Sequence, residues 1–347
     1  MIPRKKFVFP IVVLAVLALP ACSDEMVTRP AAAPRSLSPV GPRLNAGVSA
    51  SEGIAAIMDG VNASLEAAGA NYRVAIAEYL VSSDDGQAGG TVLAKNVGNK
   101  QLGADFIPFD PEREDWSGPV NGTTDNITYA IDRTGDAVPL AGGLTAAQTD
   151  AAIVRAMASW EDVSCSGLGL VRNPDFGLDI GVVAYQLSAG AIGSPYIFAD
   201  VQHAGWRDLN FAGGVLGVTY TFVFGQNVGT PPVFVPSDVD NNGKSDVAFR
   251  EIYYDPIRPA TPTSPAAPWS WRDDGVANID VESVAVHEAG HGLSQDHFGT
   301  VRIKSDEITL QASPRSVMNA LYAAPFRSLT GSDTGGHCSN WASWPTG

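Results

Sequence analysis

One eleven-residue run, residues 287–297, constrains the fold of this chain more than any other feature. It reads HEAGHGLSQDH and contains three of the chain's five histidines. On a helix, His287 and His291 are about one turn apart, so both imidazoles leave the same face. His297 comes too far along the sequence to lie on that face of a straight helix. The helix must therefore end before His297, and the chain must turn back to supply the third imidazole.

The three imidazoles have the chemistry of a zinc site with one open position. Neutral histidine nitrogens are common zinc ligands, and three protein ligands are typical of a catalytic zinc, because structural sites close all four positions. Glu288 follows the first histidine and is placed to reach a metal-bound water rather than the metal. We therefore predict His287, His291 and His297 as zinc ligands and Glu288 as the catalytic base.

The same run resembles the HExxHxxGxxH motif of the metzincin zinc metalloproteases. Ser316-Val317-Met318 follows at the distance of the family's Met-turn, a tight turn whose methionine lies beneath the metal. Tyr322, four residues later, resembles the matrixin pattern. The resemblance implies a zinc-dependent endopeptidase of bacterial matrixin type, in which Glu288 assists attack of a zinc-bound water on a peptide bond. Its partner would be a protein or peptide substrate, and Met318 would be structural.

Two positions depart from the family pattern. The family's glycine falls at Ser294, where the helix ends and positive φ is favoured. We expect Ser294 to adopt this conformation at a cost of about 1 kcal/mol. Matrixins usually carry a proline where this chain has Ala320. The expectation is modest local strain with the zinc site retained.

The resemblance implies an α+β fold. It comprises a twisted mixed five-stranded sheet, a long zinc-binding helix and a C-terminal subdomain after the third histidine. Thr145 is the predicted N-cap of a first helix, and Asp280 that of the zinc helix. Five prolines within residues 255–268 indicate a stiff, exposed loop. By resemblance, substrate would lie along an edge strand, residues 217–224. Sequence patterns predict the first helix over residues 144–163. They predict five strands at 127–131, 178–185, 197–202, 217–224 and 245–253.

The N-terminus resembles a bacterial lipoprotein signal. A positive start precedes a short apolar stretch, and Leu19-Pro20-Ala21-Cys22 resembles the lipobox, whose cysteine is lipidated. We predict a signal peptide over 1–21 and a lipid-anchored tether over 22–50. The protein would be an exported cell-envelope lipoprotein that touches the membrane only through Cys22. Ordinary cleavage after Ala21, giving a secreted protein, is the alternative.

Residues 51–117 are predicted to form a small α+β region, and residues 118–347 the catalytic domain. Helical spacing over 54–65 is followed by strand patterns at 74–81 and 91–97. This region is a propeptide, an accessory domain or a recognition module. It contains no cysteine, so the cysteine latency switch of animal matrixins is absent.

A second metal loop is predicted at residues 238–246, DVDNNGKSD. Its oxygen donors and its glycine match the first part of an EF-hand calcium loop, although Phe249 replaces the last ligand. We predict a structural calcium site without flanking helices; a solvated turn is the alternative. The predicted ligands are Asp238, Asp240, Asn242, Asp246 and the carbonyl of Lys244.

Beyond Cys22, the chain has only Cys165 and Cys338. They form a disulfide in an oxidising compartment or remain two buried thiols. The net charge of −15 argues against nucleic acid or anionic membrane surfaces as partners.

Three other functions remain open. The chain could be a non-catalytic zinc-containing surface binding protein, but the carboxylate of Glu288 argues against a purely structural site. It could also be a zinc hydrolase acting on a non-peptide bond, or a pappalysin-like rather than matrixin-like protease. Turnover of protein substrates separates the first two from a protease.

Overall fold

The computed structural model describes residues 48–346, apart from 84–86, 98–102, 115–124, 135–137, 140–142, 210, 212, 261–263, 277–278 and 305–308. The predicted signal peptide, Cys22 and the tether up to residue 47 lie outside the described residues. So does the predicted domain boundary near Gly118. Among the described residues, no helix is long and apolar enough to cross a membrane.

A mixed sheet of nine strands organises the described residues. Its order is β2-β1-β7-β9-β6-β4-β5, with β3 beside β9 and β8 beside β7. Strands β4, β5, β6 and β9 are parallel, whereas β7 runs antiparallel to its three partners β1, β8 and β9. The strands are β1 (Tyr72–Val81), β2 (Gly90–Leu93), β3 (Ala104–Asp105), β4 (Ile127–Ile131), β5 (Leu170–Arg172), β6 (Val201–Trp206), β7 (Val215–Val228), β8 (Val233–Pro236) and β9 (Ser245–Tyr254).

The described part of the chain has six helices and three small strand pairs. The predicted N-caps Thr145 and Asp280 are confirmed, since each side chain accepts a backbone N–H of the following turn. The helices are α1 (Ala50–Ala67), α2 (Pro111–Glu114), α3 (Ala146–Glu161), α4 (Val182–Leu187), α5 (Val281–Gly292) and α6 (Gly331–Trp341). The pairs are β10 (Ile257–Arg258) with β11 (Ala267–Pro268), β12 (Trp271–Arg272) with β13 (Ile279–Asp280), and β14 (Thr300–Lys304) with β15 (Thr309–Ser313).

Helices cover both faces of the sheet. Alternate residues of a strand point to opposite faces, so Leu80 of β1 packs with α3 and α5, whereas Tyr79 packs with α1 and α4. The α3–α5 contact includes Trp160, whose indole N–H donates to Val286 O at 2.8 Å. All twelve residues of α5 are buried, which places the histidine-bearing helix inside the molecule.

The predicted mixed sheet of an α+β chain is confirmed, but its five strands are too few. Strands β1 and β2, from the predicted N-terminal region, extend the sheet beyond β7, and β3 and β8 add to its sides. The helix predicted over 54–65 is present as α1. The predicted N-terminal region therefore shares one sheet with the residues that follow it.

Residues 217–224 were predicted to be an edge strand, and this is wrong. They belong to β7, which pairs with β1 on one side and with β9 on the other. The partner β1 comes from the region that the prediction had kept apart.

The strand predicted over 178–185 is also wrong, because α4 occupies its second half and no strand forms in its first half, all of which the structure describes. Gly181 has φ +124°, and the N–H groups of Val182 and Val183 donate to the Glu251 carboxylate at 2.6 and 3.0 Å. An anion at this position stabilises a helix N-terminus. The strand predicted at 197–202 begins later, at Val201, and the proline-rich segment predicted as a loop contains β10 and β11.

Candidate metal centre

The end of α5 brings the three histidines together. The helix ends at Gly292, and Ser294 follows in the left-handed region, with φ +64°. The expected positive φ at Ser294 is therefore present. Arg250 donates to Ser294 Oγ at 2.7 Å and to Gly292 O at 3.1 Å. The buried guanidinium thus holds the turn that returns the chain to His297.

The three imidazoles converge through their Nε2 atoms. His291 Nε2 lies 3.1 Å from that of His287 and 3.2 Å from that of His297. His287 Nδ1 faces Val317 O, and His291 Nδ1 faces Gln295 O, each at 2.7 Å. An Nδ1–H that donates to a carbonyl leaves the Nε2 lone pair free for a metal. Zinc with bonds of about 2.0–2.1 Å and tetrahedral angles separates ligand nitrogens by about 3.3–3.4 Å, so the donor set fits zinc.

Glu288 lies beside this cluster with its carboxylate fully buried. Thr219 Oγ1 donates to its Oε2 at 2.7 Å, while Oε1 has no hydrogen-bond partner among the described residues. Gly217 makes room for the carboxylate: a Cβ there would lie 2.5 Å from Oε1. Burial raises the pKa of Glu288 to about 8. The group therefore has one oriented oxygen and one oxygen available for a proton.

Met318 is buried and packs against Gly290 of α5. Its turn is held by Asp333 of α6, a residue that sequence reasoning missed. The Asp333 carboxylate accepts the N–H groups of Val317 and Met318 at 3.0 and 3.1 Å and also the hydroxyl of Ser316. The only signal was the capping-box pattern that begins at Thr330.

Glu78 is a second residue that sequence reasoning missed. It lies in β1, is 5% exposed, and places Oε2 3.1 Å from His291 Nδ1. Burial lowers the pKa of His291, but the charge and hydrogen bond of Glu78, the charge of Glu288 and the hydrogen bond to Gln295 together outweigh it and raise the pKa to about 9. A carboxylate beside a ligand's second nitrogen orients the ring and increases its basicity. The available signal was one acid inside the apolar pattern predicted over 74–81.

The remaining histidines are outside the cluster. His203 is buried, with Nδ1 3.0 Å from the Tyr254 hydroxyl, and His337 stacks on Trp160. Tyr322 accepts the Asp280 N–H through its hydroxyl at 2.8 Å, which fixes it near the start of α5. His203 and His337 therefore take no part in the cluster, whereas Tyr322 lies close to it.

The predicted calcium loop brings three carboxylates together. Oxygens of Asp238, Asp240 and Asp246 lie within 4.8 Å of one another. Asp246 is fully buried, and its Oδ1 has no hydrogen-bond partner among the described residues. Burial raises the pKa of Asp246 to about 7, and the charges of Asp110 and Glu112 add to the shift. Among the described residues, no helix flanks the loop, as predicted; β9 follows it, and β8, which was not predicted, precedes it.

The other two predicted ligands are differently placed. Asn242 Nδ2 donates to Asp240 and to Asp105 of β3, and its Oδ1 accepts the Lys244 N–H at 2.7 Å. Lys244 Nζ forms an ion pair with Asp105 at 3.0 Å. In this arrangement, Asn242 and Lys244 organise the loop, and the three aspartates face one another.

Cys165 and Cys338 form a disulfide, which ties the residues after α3 to α6. Because α6 carries Asp333, the bond fixes the helix that supports the Met-turn.

No protein-family model matches the chain, and no curated protein matches it. Function is therefore argued from the geometry of the residues.

Proposed function

We propose that this chain is a zinc-dependent endopeptidase. The observation that carries the proposal is Oε1 of Glu288, which has no hydrogen-bond partner in the described part of the chain and is buried beside three converging imidazole nitrogens. A purely structural zinc site has no use for such a carboxylate. A hydrolase needs it to move a proton beside the metal.

The residues divide the work as follows. His287, His291 and His297 would hold zinc through Nε2. The metal, when bound, supplies Lewis-acid chemistry: it makes a water more acidic and polarises the scissile carbonyl. Glu288 Oε1 accepts the proton of the attacking water and then delivers it to the leaving amine. Thr219 holds the other carboxylate oxygen, so that Oε1 keeps its direction.

The finer assignment to a matrixin-like metzincin is supported by the sequence motif and by the residues that surround the three histidines. The third histidine follows a turn at positive φ, and Met318 packs against Gly290 of α5. The Tyr322 hydroxyl accepts the N–H of Asp280 at the start of α5. A pappalysin-like protease and a non-catalytic zinc-containing binding protein remain the competing functions.

The test is cleavage of a denatured protein mixture by zinc-loaded protein, with zinc content measured in parallel. We expect one zinc per chain, fragments from the wild type, and no fragments from Glu288→Gln or after chelation. Thr219→Val should retain zinc but cleave more slowly, because Oε1 loses its fixed direction. Cleavage by Glu288→Gln at the wild-type rate would refute the mechanism.

We also propose that the chain is exported and lipidated at Cys22, which the N-terminal pattern supports. Expression in a bacterium with a radiolabelled fatty acid should label the wild type and leave Cys22→Ser unlabelled. Label on both proteins would refute the assignment.

The acidic loop is proposed to bind Ca²⁺. The buried, unpartnered oxygen of Asp246 faces the carboxylates of Asp238 and Asp240, and such a group is stabilised by a hard cation. Calcium should raise the melting temperature of the wild type. It should not raise that of the double variant that carries both Asp240→Asn and Asp246→Asn. Asp175→Asn, an exposed turn aspartate outside the loop, is the matched control. Equal calcium shifts in all three proteins would refute the site.

A further inference from the structure

The strand edge beside Glu288 is covered by the chain's own β1. Gly217 and Thr219 of β7 both contact the Glu288 carboxylate. An extended peptide that pairs with this edge would have its main chain beside the reacting groups. In the structure, β1 occupies the edge in antiparallel register, with Leu80 opposite Gly217 and Glu78 opposite Thr219.

The chain after Leu80 has main-chain partners on both sides. The Ser82 N–H donates to Gly214 O at 2.8 Å on the β7 side. On the other side, the Tyr322 N–H donates to Val81 O and the Ser83 N–H donates to Tyr322 O, each at 2.8 Å. Ser82 and Tyr322 form a parallel bridge. Residues 81–83 are thus hydrogen-bonded to Gly214 on one side and to Tyr322 on the other, as an extended peptide is bound in a cleft.

The Leu80 side chain lies over a cavity of about 590 Å³, which is also lined by His287, Val317, Tyr322 and Phe326. Leu80 is only 2% exposed. With β1 in this position, Glu288 and His291 are fully buried and His287 is 2% exposed. While residues 80–83 stay in place, an extended substrate cannot pair with β7 beside these groups.

We propose that residues 80–83, the end of β1 and the two residues after it, occupy the substrate cleft and compete with substrate, so that the folded chain is latent, cleaving only slowly, until this segment leaves. The substrate then takes the segment's place, with an aliphatic side chain where Leu80 now lies. This inference rests on the proposed peptidase function. It differs from a metal-capping switch because no cysteine is involved and the segment is held by main-chain hydrogen bonds.

The test weakens only the end of the segment. Ser82→Pro and Ser83→Pro each remove one of the N–H donors that hold it, whereas Ser82→Ala and Ser83→Ala keep them. Zinc-loaded full-length proteins are titrated with a fluorescent leucine hydroxamate, which binds an accessible zinc site without turnover. Each proline variant should bind about fivefold more tightly than its alanine control, because one hydrogen bond no longer favours the covered state. Cleavage of a quenched peptide should rise in parallel.

A second measurement uses the wild type alone, in case the proline variants fail to fold. Saturating hydroxamate should increase amide hydrogen exchange of residues 80–83, because the probe displaces them. Unchanged exchange with bound probe, or equal probe affinity in the proline and alanine variants, would overturn latency.

The two proposals fail differently. Equal cleavage by the wild type and all variants, lost in Glu288→Gln, would leave the peptidase standing and refute latency. Tighter probe binding by the proline variants without cleavage by any protein would support the covered cleft and refute the peptidase.

Discussion

The support of the Met-turn by Asp333 gives a quantitative prediction. The carboxylate is 2% exposed and accepts five hydrogen bonds: two at Oδ1, from Ser316 and Met318, and three at Oδ2, from Val317 and from both donors of Thr330. In Asp333→Asn, one oxygen becomes an NH₂ donor, so at least two of these donors lose their acceptor. Hydrogen bonds to charged groups contribute about 1.5–3 kcal/mol each. The free energy of unfolding should therefore fall by about 3–6 kcal/mol.

Urea denaturation measures this change, and zinc titration against a chelator measures its effect on the site. Zinc affinity should fall by about tenfold or more, because the turn also carries Val317 O, the partner of His287 Nδ1. Glu52→Gln is the matched control, since Glu52 holds the same position in the exposed capping box of α1. Its urea midpoint should hardly move. If Asp333→Asn and Glu52→Gln behaved alike, the carboxylate would not be what holds the Met-turn.

Three further predictions concern stability. Replacing Cys165 and Cys338 by serine opens a loop with a sequence separation of 173 and should lower the free energy of unfolding by about 3–5 kcal/mol; an unchanged urea midpoint would contradict this. Burial lowers the pKa of His203 to about 3, so its contribution is complete above about pH 6.5 and falls by about 1.4 kcal/mol per pH unit below it. His203→Gln should flatten this acid slope, and an identical slope would refute the assignment. Ser294→Ala keeps the strained φ and loses the Arg250 contact, so Ser294→Gly should be more stable than Ser294→Ala by about 1 kcal/mol; a more stable alanine variant would show that φ is not strained.

Local signals in the sequence located much of the site. The spacing of His287 and His291 is a property of the helix itself, and the N-cap Asp280 marked where that helix begins. The need to turn back before His297 followed from the same geometry, and Ser294 provides the turn. These features depend on neighbours within one or two helical turns, which the sequence shows directly.

Contacts between distant segments could not be predicted in the same way. The apolar pattern of β1 identified a strand but not its partner, so its place beside β7 and the approach of Glu78 to His291 were missed. At 178–185, the apolar pattern fitted a strand, whereas the buried Glu251 carboxylate of β9 selected the helix α4. In both cases, a partner distant in the sequence decided the outcome: the strand β7 for β1, and the Glu251 carboxylate for α4.

The metal centre depends on residues made at very different times during synthesis. Glu78 emerges from the ribosome long before the histidines, and Asp333 emerges after all three. The growing chain therefore carries the three histidines before it has the helix that supports the turn at Met318, while the strand beside His291 is already present. The order of synthesis makes the supported histidine cluster a late event; under the proposed peptidase function, this shortens the time in which a nascent chain could attack itself or its neighbours.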